Sequence, residues 1–205
     1  MATDPLPPHL HEYLDSLVPP RPPEMQAMEA YAKQTNFPII GPASGYFCYQ
    51  VARMIGARRV FELGSGYGYS TAWFAKAVQE NGGGEVHHVV WDEQLSQQAR
   101  GHLGALGFGD LMTYHVGEAV QALREAAGPF DLIFNDIDKH GYPASLPVIA
   151  AKLRPGGAVL LEIGATQAAA VMDLAQRAFP NATVSVHRDL AGLDRVVVID
   201  DKMAR

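Results

Sequence analysis

A single cysteine, Cys48, stands in 205 residues, so no internal disulfide can form, and a reducing, cytoplasmic setting is expected. Lysine is nearly as sparse, with five in the chain, and no run of Lys and Arg occurs anywhere. With a formal net charge of −6 and no basic stripe to neutralise phosphates, a nucleic-acid partner is disfavoured. No stretch approaches the ~20 consecutive apolar residues that span a bilayer, so no membrane partner is expected. The N-terminal segment has no basic stretch followed by an apolar one and does not read as a secretory signal. Charged residues make up only 19% and hydrophobic residues 48%, the balance of a folded chain rather than a disordered one.

Proline is unevenly spread. Pro5, Pro7, Pro8, Pro19, Pro20, Pro22 and Pro23 crowd the start of the chain around a short amphipathic stretch, His9 to Leu17. Fixed φ and missing donors make residues 1–23 an extended Pro-rich arm, either loosely packed or laid on a partner subunit or over a pocket. Residues 24–205 read as one folded domain.

From Glu24 the pattern turns regular. Glu24–Thr35 and Ser44–Ile55 have helical spacing and are separated by the breaker-rich Asn36-Phe37-Pro38-Ile39-Ile40-Gly41-Pro42. Strands then alternate with helices. The expected strands are Arg59–Leu63, Val86–Trp91, Met112–Val116, Phe130–Asn135 and Ala158–Ile163. The expected helices between and after them are Ser70–Gln79, Glu93–Leu106, Glu118–Ala126, Tyr142–Leu153 and Thr166–Phe179. Apolar strands flanked by helices suit a parallel sheet with both faces covered. Two further β-rich runs, Ala182–His187 and Arg195–Asp200, are joined by the short turn Asp189-Leu190-Ala191-Gly192, which favours an antiparallel hairpin.

The loop Glu62-Leu63-Gly64-Ser65-Gly66-Tyr67-Gly68-Tyr69-Ser70 joins the first strand to the next helix. Glycine there lets backbone amides approach a ligand, and the helix N-terminus behind it favours an anionic group. Ligands of open parallel sheets bind at this edge. The spacing is Gly64-x-Gly66-x-Gly68, with Tyr69 where the dinucleotide fingerprint needs its third glycine, so a nicotinamide oxidoreductase falls to a remote option. The loop and the acid before it resemble the S-adenosylmethionine loop of class I methyltransferases. The resemblance implies an α/β, Rossmann-like fold: a mostly parallel twisted sheet with helices on both faces and an antiparallel C-terminal hairpin.

A second strand in such folds ends in an acid that holds the cofactor ribose. Here the matching position is Val90, and the nearest acid is Asp92, with capping of the next helix as its alternative role. Trp91 could flank the adenine but reads as a core residue. Glu118 matches a position near the adenine amine, again with helix capping as the alternative. His87 and His88, adjacent on a strand, face opposite sides and cannot share a metal.

The segment Phe130-Asp131-Leu132-Ile133-Phe134-Asn135-Asp136-Ile137-Asp138-Lys139-His140-Gly141-Tyr142-Pro143 brings carboxylates, a lysine, a histidine and a tyrosine to the ligand edge. Such a set suits deprotonation of a hydroxyl, with a carboxylate-held divalent cation lowering the acceptor's pKa and a lysine taking the proton. His140 reads as a solvated loop residue. With the glycine loop and Phe37-Pro38-Ile39-Ile40-Gly41-Pro42, this segment resembles the catechol and caffeoyl-coenzyme-A O-methyltransferases, from about Glu24 to Gly157. The resemblance implies Asp136 as a metal ligand and catalytic group and Lys139 as the base. It also implies Ile40, Glu62, Gly64, Ser65, Gly66, Tyr67 and Ser70, with Asp92, Glu118 and Asp136, around S-adenosylmethionine. Mg2+ or another divalent cation stays an open cofactor, a small-molecule hydroxyl is the implied acceptor, and a homodimer the implied assembly.

The family's Asp-Asn pair at the end of the fifth strand falls here on Ile163-Gly164, neither of which ligates a metal. Glu162, one residue away, is expected on the opposite face. From Gly156 onward, Leu161-Glu162-Ile163-Gly164-Ala165-Thr166-Gln167 and Arg188-Asp189-Leu190-Ala191-Gly192-Leu193-Asp194-Arg195-Val196 resemble the protein glutamine N-methyltransferases. Those enzymes need Asn-Pro-Pro-Tyr where this chain has Asn135-Asp136-Ile137-Asp138. The alternatives left open are metal-independent transfer to nitrogen and cofactor binding without transfer.

Overall fold

The computed structural model describes Tyr13, residues 16–188 and residues 192–200. Pro5, Pro7 and Pro8, most of the His9–Leu17 stretch, and Asp189, Leu190 and Ala191 of the expected turn lie outside the described residues.

Seven strands form one sheet, in the order β3-β2-β1-β4-β5-β7-β6. They are β1 (Arg59–Leu63), β2 (Glu85–Val90), β3 (Met112–Val116), β4 (Phe130–Asn135), β5 (Leu153–Glu162), β6 (Thr183–Arg188) and β7 (Asp194–Asp200). The first five are mutually parallel, and β7 runs antiparallel to both β5 and β6. The helices are α1 (Pro23–Thr35), α2 (Gly41–Met54), α3 (Tyr69–Glu80), α4 (Glu93–Ala105), α5 (Ala119–Glu125), α6 (Tyr142–Lys152) and α7 (Ala168–Ala178). No described helix is long and apolar enough to cross a membrane.

The two-residue period of each strand sorts side chains between two cores. Val60, Leu132, Phe134 and Leu160 point into the layer that α1 to α4 fill with Met25, Met28, Cys48, Trp73, Phe74 and Leu103. Phe61, Leu63, Ile133, Val159, Leu161 and Ile163 point into the layer that α5 to α7 fill with Leu123, Leu146, Ile149 and Val171. Glu62 and Glu162, near the carboxyl ends of β1 and β5, inherit their face from this alternation.

Most boundaries move by a residue or two, and three of the differences bear on the site. The helix expected from Ser44 begins at Gly41, because Pro42 sits in the first turn, where its missing N–H costs nothing. β5 starts at Leu153 rather than Ala158: Leu153 pairs with Phe130, and a register shift between Phe130 and Leu132 carries the strand through Pro155-Gly156-Gly157. β2 ends at Val90, so Trp91 leaves the sheet and is 71% exposed, not a core residue.

Candidate active site

The glycine loop leaves β1 with Gly64, Gly66 and Gly68 all at positive φ. Gly64 is the tightest. A Cβ there would lie 2.5 Å from the Asp136 carbonyl oxygen, and the Asp136 amide donates to the Leu63 carbonyl at 2.9 Å. The loop can therefore lie directly against the end of β4 only because it has no side chain at that point. Ser65 ties the same loop to β2: its amide donates to the Val89 carbonyl, and its hydroxyl accepts from the Val89 amide, each at 2.9 Å. Tyr67 turns its ring into the helical layer, with its hydroxyl donating to the Met28 carbonyl at 2.9 Å, so its backbone is what it can offer a ligand.

Glu62, the last residue but one of β1, is fully buried. Burial raises its pKa, opposed by the neighbouring hydroxyls of Ser70, Thr71 and Ser65. Thr71 donates to Oε2, while Oε1 is buried with no hydrogen-bond partner. A buried carboxylate oxygen left unpaired is costly, and a ligand cation would satisfy it. The α-ammonium of S-adenosylmethionine has that chemistry, so the loop fits the cofactor.

The second cluster lies at the ends of β4 and β5. The last register pair is Asn135 with Leu161, and the residues that follow on each strand are Asp136 and Glu162. Lys139, in the short 3-10 turn Lys139–Gly141, reaches back over both. Its Nζ lies 2.5 Å from Glu162 Oε2 and 3.3 Å from Asp136 Oδ1, and it donates to the Tyr142 hydroxyl at 3.2 Å. The Tyr142 hydroxyl sits 2.6 Å from the Glu162 carbonyl and 2.9 Å from the Asn135 carbonyl, clamping the two strand ends together. Burial pushes the Asp136 carboxyl up to about 7; the Lys139 charge opposes this, and Glu162 and Glu62 add to it. Beside this cluster opens a cavity of about 290 Å³ lined by Ile39, Ile40, Ser44, Cys48, Phe134, Glu162, Arg195 and Val196. Cys48 is an inert wall residue, since burial pushes its thiol far above the usual range.

A family model described as a methyltransferase domain matches residues 61–162. The catechol O-methyltransferase of Mycobacterium tuberculosis is 31% identical over 165 residues, covering 79% of this chain and 74% of that protein. The chain belongs to the class I S-adenosylmethionine-dependent O-methyltransferases. Among solved structures, the cofactor-bound protein Rv0187 from MTB is 26% identical, with a TM-score of 0.79 over 97% of this chain and 98% of that one. The O-methyltransferase TomG from Streptomyces achromogenes, in complex with SAM, shares the fold at 22% identity, with a TM-score of 0.78 over 95% and 96% of the two chains.

In this methyltransferase the expected residues fall into three groups. Glu62, Gly64, Ser65, Gly66, Tyr67 and Ser70 gather at the loop, and Ile40 lines the cavity beside Asp136 and Lys139. Asp92 and Glu118 are helix N-caps. Asp92 Oδ1 accepts from the Gln94 and Leu95 amides at 2.7 and 3.1 Å. Glu118 uses both oxygens, accepting from Val120 at 3.0 Å and Gln121 at 2.6 Å. Because β2 stops at Val90, Asp92 does not inherit the face of that residue. His87 and His88 do face opposite sides: His87 stacks on His115, whereas His88 Nε2 donates to the Gly66 carbonyl at 3.1 Å. Burial pushes His88 down to about 4, so it holds the loop as a neutral ring. His140 is exposed.

Glu162 does lie on the face opposite to Ile163, but that is the face of the site: it shares the side of Leu160 and joins Lys139, while Ile163 is buried in the other core. Parity counted through the β4–β5 register from Asp136 would have found it; matching a motif end to end did not. Thr71 and His88 were also missed, though a hydroxyl at the helix start and an imidazole beside the loop are both visible in the sequence.

The donor set does not fit a divalent cation. Among the described residues no three His, Cys, Asp or Glu side chains are grouped to hold a metal. Two carboxylates can hold a hard cation that keeps its waters, but here an ammonium already lies between them.

Proposed function

We propose that this methyltransferase acts on the hydroxyl of a small phenol- or catechol-like molecule held in the cavity beside Lys139. The observation that carries this reading is adjacency: the cofactor loop at Gly64 lies against the backbone of Asp136, whose side chain borders the acceptor cluster. When bound, S-adenosylmethionine supplies a sulfonium methyl, so transfer turns an acceptor O–H into O–CH3, leaving a thioether and one proton.

The chain's residues divide the remaining work. Glu62 Oε1 takes the methionine ammonium, and Gly64 and Gly66 keep Cβ atoms out of the cofactor's way. Asp92, whose two capping bonds fall on one oxygen, reaches the ribose with the other; Glu118 and the exposed Trp91 border the adenine. Phe134 and the aliphatic wall of Ile39, Ile40 and Val196 exclude water and orient a flat acceptor, so that positioning supplies much of the acceleration. Asp136 and Lys139 receive the hydroxyl and its proton. A homodimer, as the family resemblance implies, in the reducing cytoplasm that the single cysteine favours, is the working assembly.

The test is incubation with S-adenosylmethionine and a panel of catechols, phenols and hydroxycinnamates, followed by mass spectrometry. S-adenosylhomocysteine together with an O-methylated product is expected. Product on amines alone would move the reaction to nitrogen, and bound cofactor with no product from any acceptor would leave a binding protein.

A further inference from the structure

We propose that the Lys139 ammonium, held by Glu162, occupies the place where a divalent cation would otherwise act, so that methyl transfer proceeds without a metal and Glu162 is its positioning residue. This rests on the reading above that the cavity receives a hydroxyl acceptor.

Geometry is the first support. An ammonium has three donors and no acceptor. Three oxygens surround Lys139 Nζ: Glu162 Oε2 at 2.5 Å, Tyr142 Oη at 3.2 Å and Asp136 Oδ1 at 3.3 Å. A nitrogen so surrounded offers its charge to an acceptor, not a lone pair. The shortest of the three contacts, the ion pair with Glu162, fixes the group to β5, and the longest, to Asp136, is the one an incoming oxygen can replace.

The second support is what β5 lacks. Ile163 is packed in the core between the sheet and α6–α7, so the strand end presents one carboxylate and no further oxygen from a neighbouring side chain. A divalent ion would have to displace the ammonium to gain two carboxylates. The lysine keeps a positive charge at the same point with no ion recruited, and Glu162 is what keeps it there.

The acid–base step then divides differently from the resemblance. The acceptor hydroxyl enters between Lys139 and Asp136. Its proton passes to the Asp136 carboxylate and on to water, and the negative charge left on oxygen faces the ammonium until the new O–C bond forms. Charge development opposite a fixed cation in a half-buried cavity is where electrostatic stabilisation is largest.

The test uses full-length protein, stripped with EDTA and saturated with S-adenosylhomocysteine, titrated with Mn2+ to about 1 mM, the weak end of protein cation sites. The electron paramagnetic resonance of free Mn2+ should be undiminished by the wild-type protein and diminished by Lys139→Met, in which the two carboxylates are freed. Uptake of Mn2+ by the wild type overturns the proposal, as does its absence from both proteins. On the stripped enzyme, Glu162→Gln should lower kcat about 10- to 100-fold with the KM for S-adenosylmethionine unmoved, the loss typical of a supporting partner. Unchanged kcat, or turnover restored only by added Mg2+ in the wild type, would also overturn it. Failure of the functional reading is separate: it appears as no O-methylated product under any metal condition, while the Mn2+ signal still decides the role of the lysine.

Discussion

Glu62 and Glu162 are both glutamates near the carboxyl ends of parallel strands, both turned to the same face of the sheet, yet they are in opposite electrostatic states. Glu62 is fully buried, accepts from the Thr71 hydroxyl on Oε2 and has Oε1 unpaired. Glu162 is partly exposed and already paired with Lys139 at 2.5 Å. A carboxylate with an orphaned oxygen depends on a cation that arrives with a ligand; a carboxylate with a resident cation does not. On the proposed reading the Glu62 half lacks its cation until a ligand brings one, whereas the Glu162 half already holds the Lys139 ammonium.

Several perturbations probe this contrast. The largest effect belongs to Lys139→Met, which should reduce kcat by about 10²- to 10³-fold, the scale for removing one preorganised electrostatic group. Cofactor affinity should stay within about two-fold of wild type; a comparable loss of affinity would mean the two halves are not separate. Acidification should act on the other half. Because burial raises the Glu62 pKa, its carboxyl protonates at a pH above the usual carboxylate range, and attraction for the methionine ammonium is full above that point and lost below it. Calorimetric affinity for S-adenosylmethionine should thus fall as pH drops through that range, and Glu62→Gln should flatten the profile.

Gly64→Ala strikes the seam between the halves. With φ at +87° and a Cβ aimed at the Asp136 carbonyl, it should cost about 2 kcal/mol or more, read as a melting temperature lower by about 4–8 °C. It should also impair both cofactor affinity and turnover. The smallest effect is expected of Asp92→Ser. Serine still caps α4, so stability should move by a few tenths of a kcal/mol, about nothing in a melting curve. A several-fold weaker affinity for S-adenosylmethionine would then isolate the ribose contact from the cap.

The fold was legible where pattern and boundary coincide. β1, β3 and β4 end where the apolar runs end: Gly64 follows the first, Gly117 and the cap Glu118 the second, and Asp136 with the cap Asp138 the third. It was less legible at β5, where Pro155-Gly156-Gly157 reads as a break although the strand has already begun at Leu153, across a register shift against β4. Trp91 reads as core by its size, yet the strand stops one residue before it. The loop side of the site was visible because glycines and a preceding acid are local signals. The acceptor side was half visible: Asp136 and Lys139 stand together in one segment, but Glu162 joins them across a strand pairing that no local pattern encodes. Motif matching also put the departure at Ile163-Gly164, where the inward position is in fact filled.

The contrast between the two glutamates is tested most directly by calorimetric titration of S-adenosylmethionine into the wild type, Glu62→Gln and Glu162→Gln under one set of conditions. Removing the carboxylate that awaits the ligand's ammonium should weaken binding about 10- to 100-fold, the worth of one charge-assisted hydrogen bond, while Glu162→Gln should bind as the wild type does. Equal weakening by both, or none by Glu62→Gln, would contradict the assignment of the one to the cofactor and the other to the acceptor site.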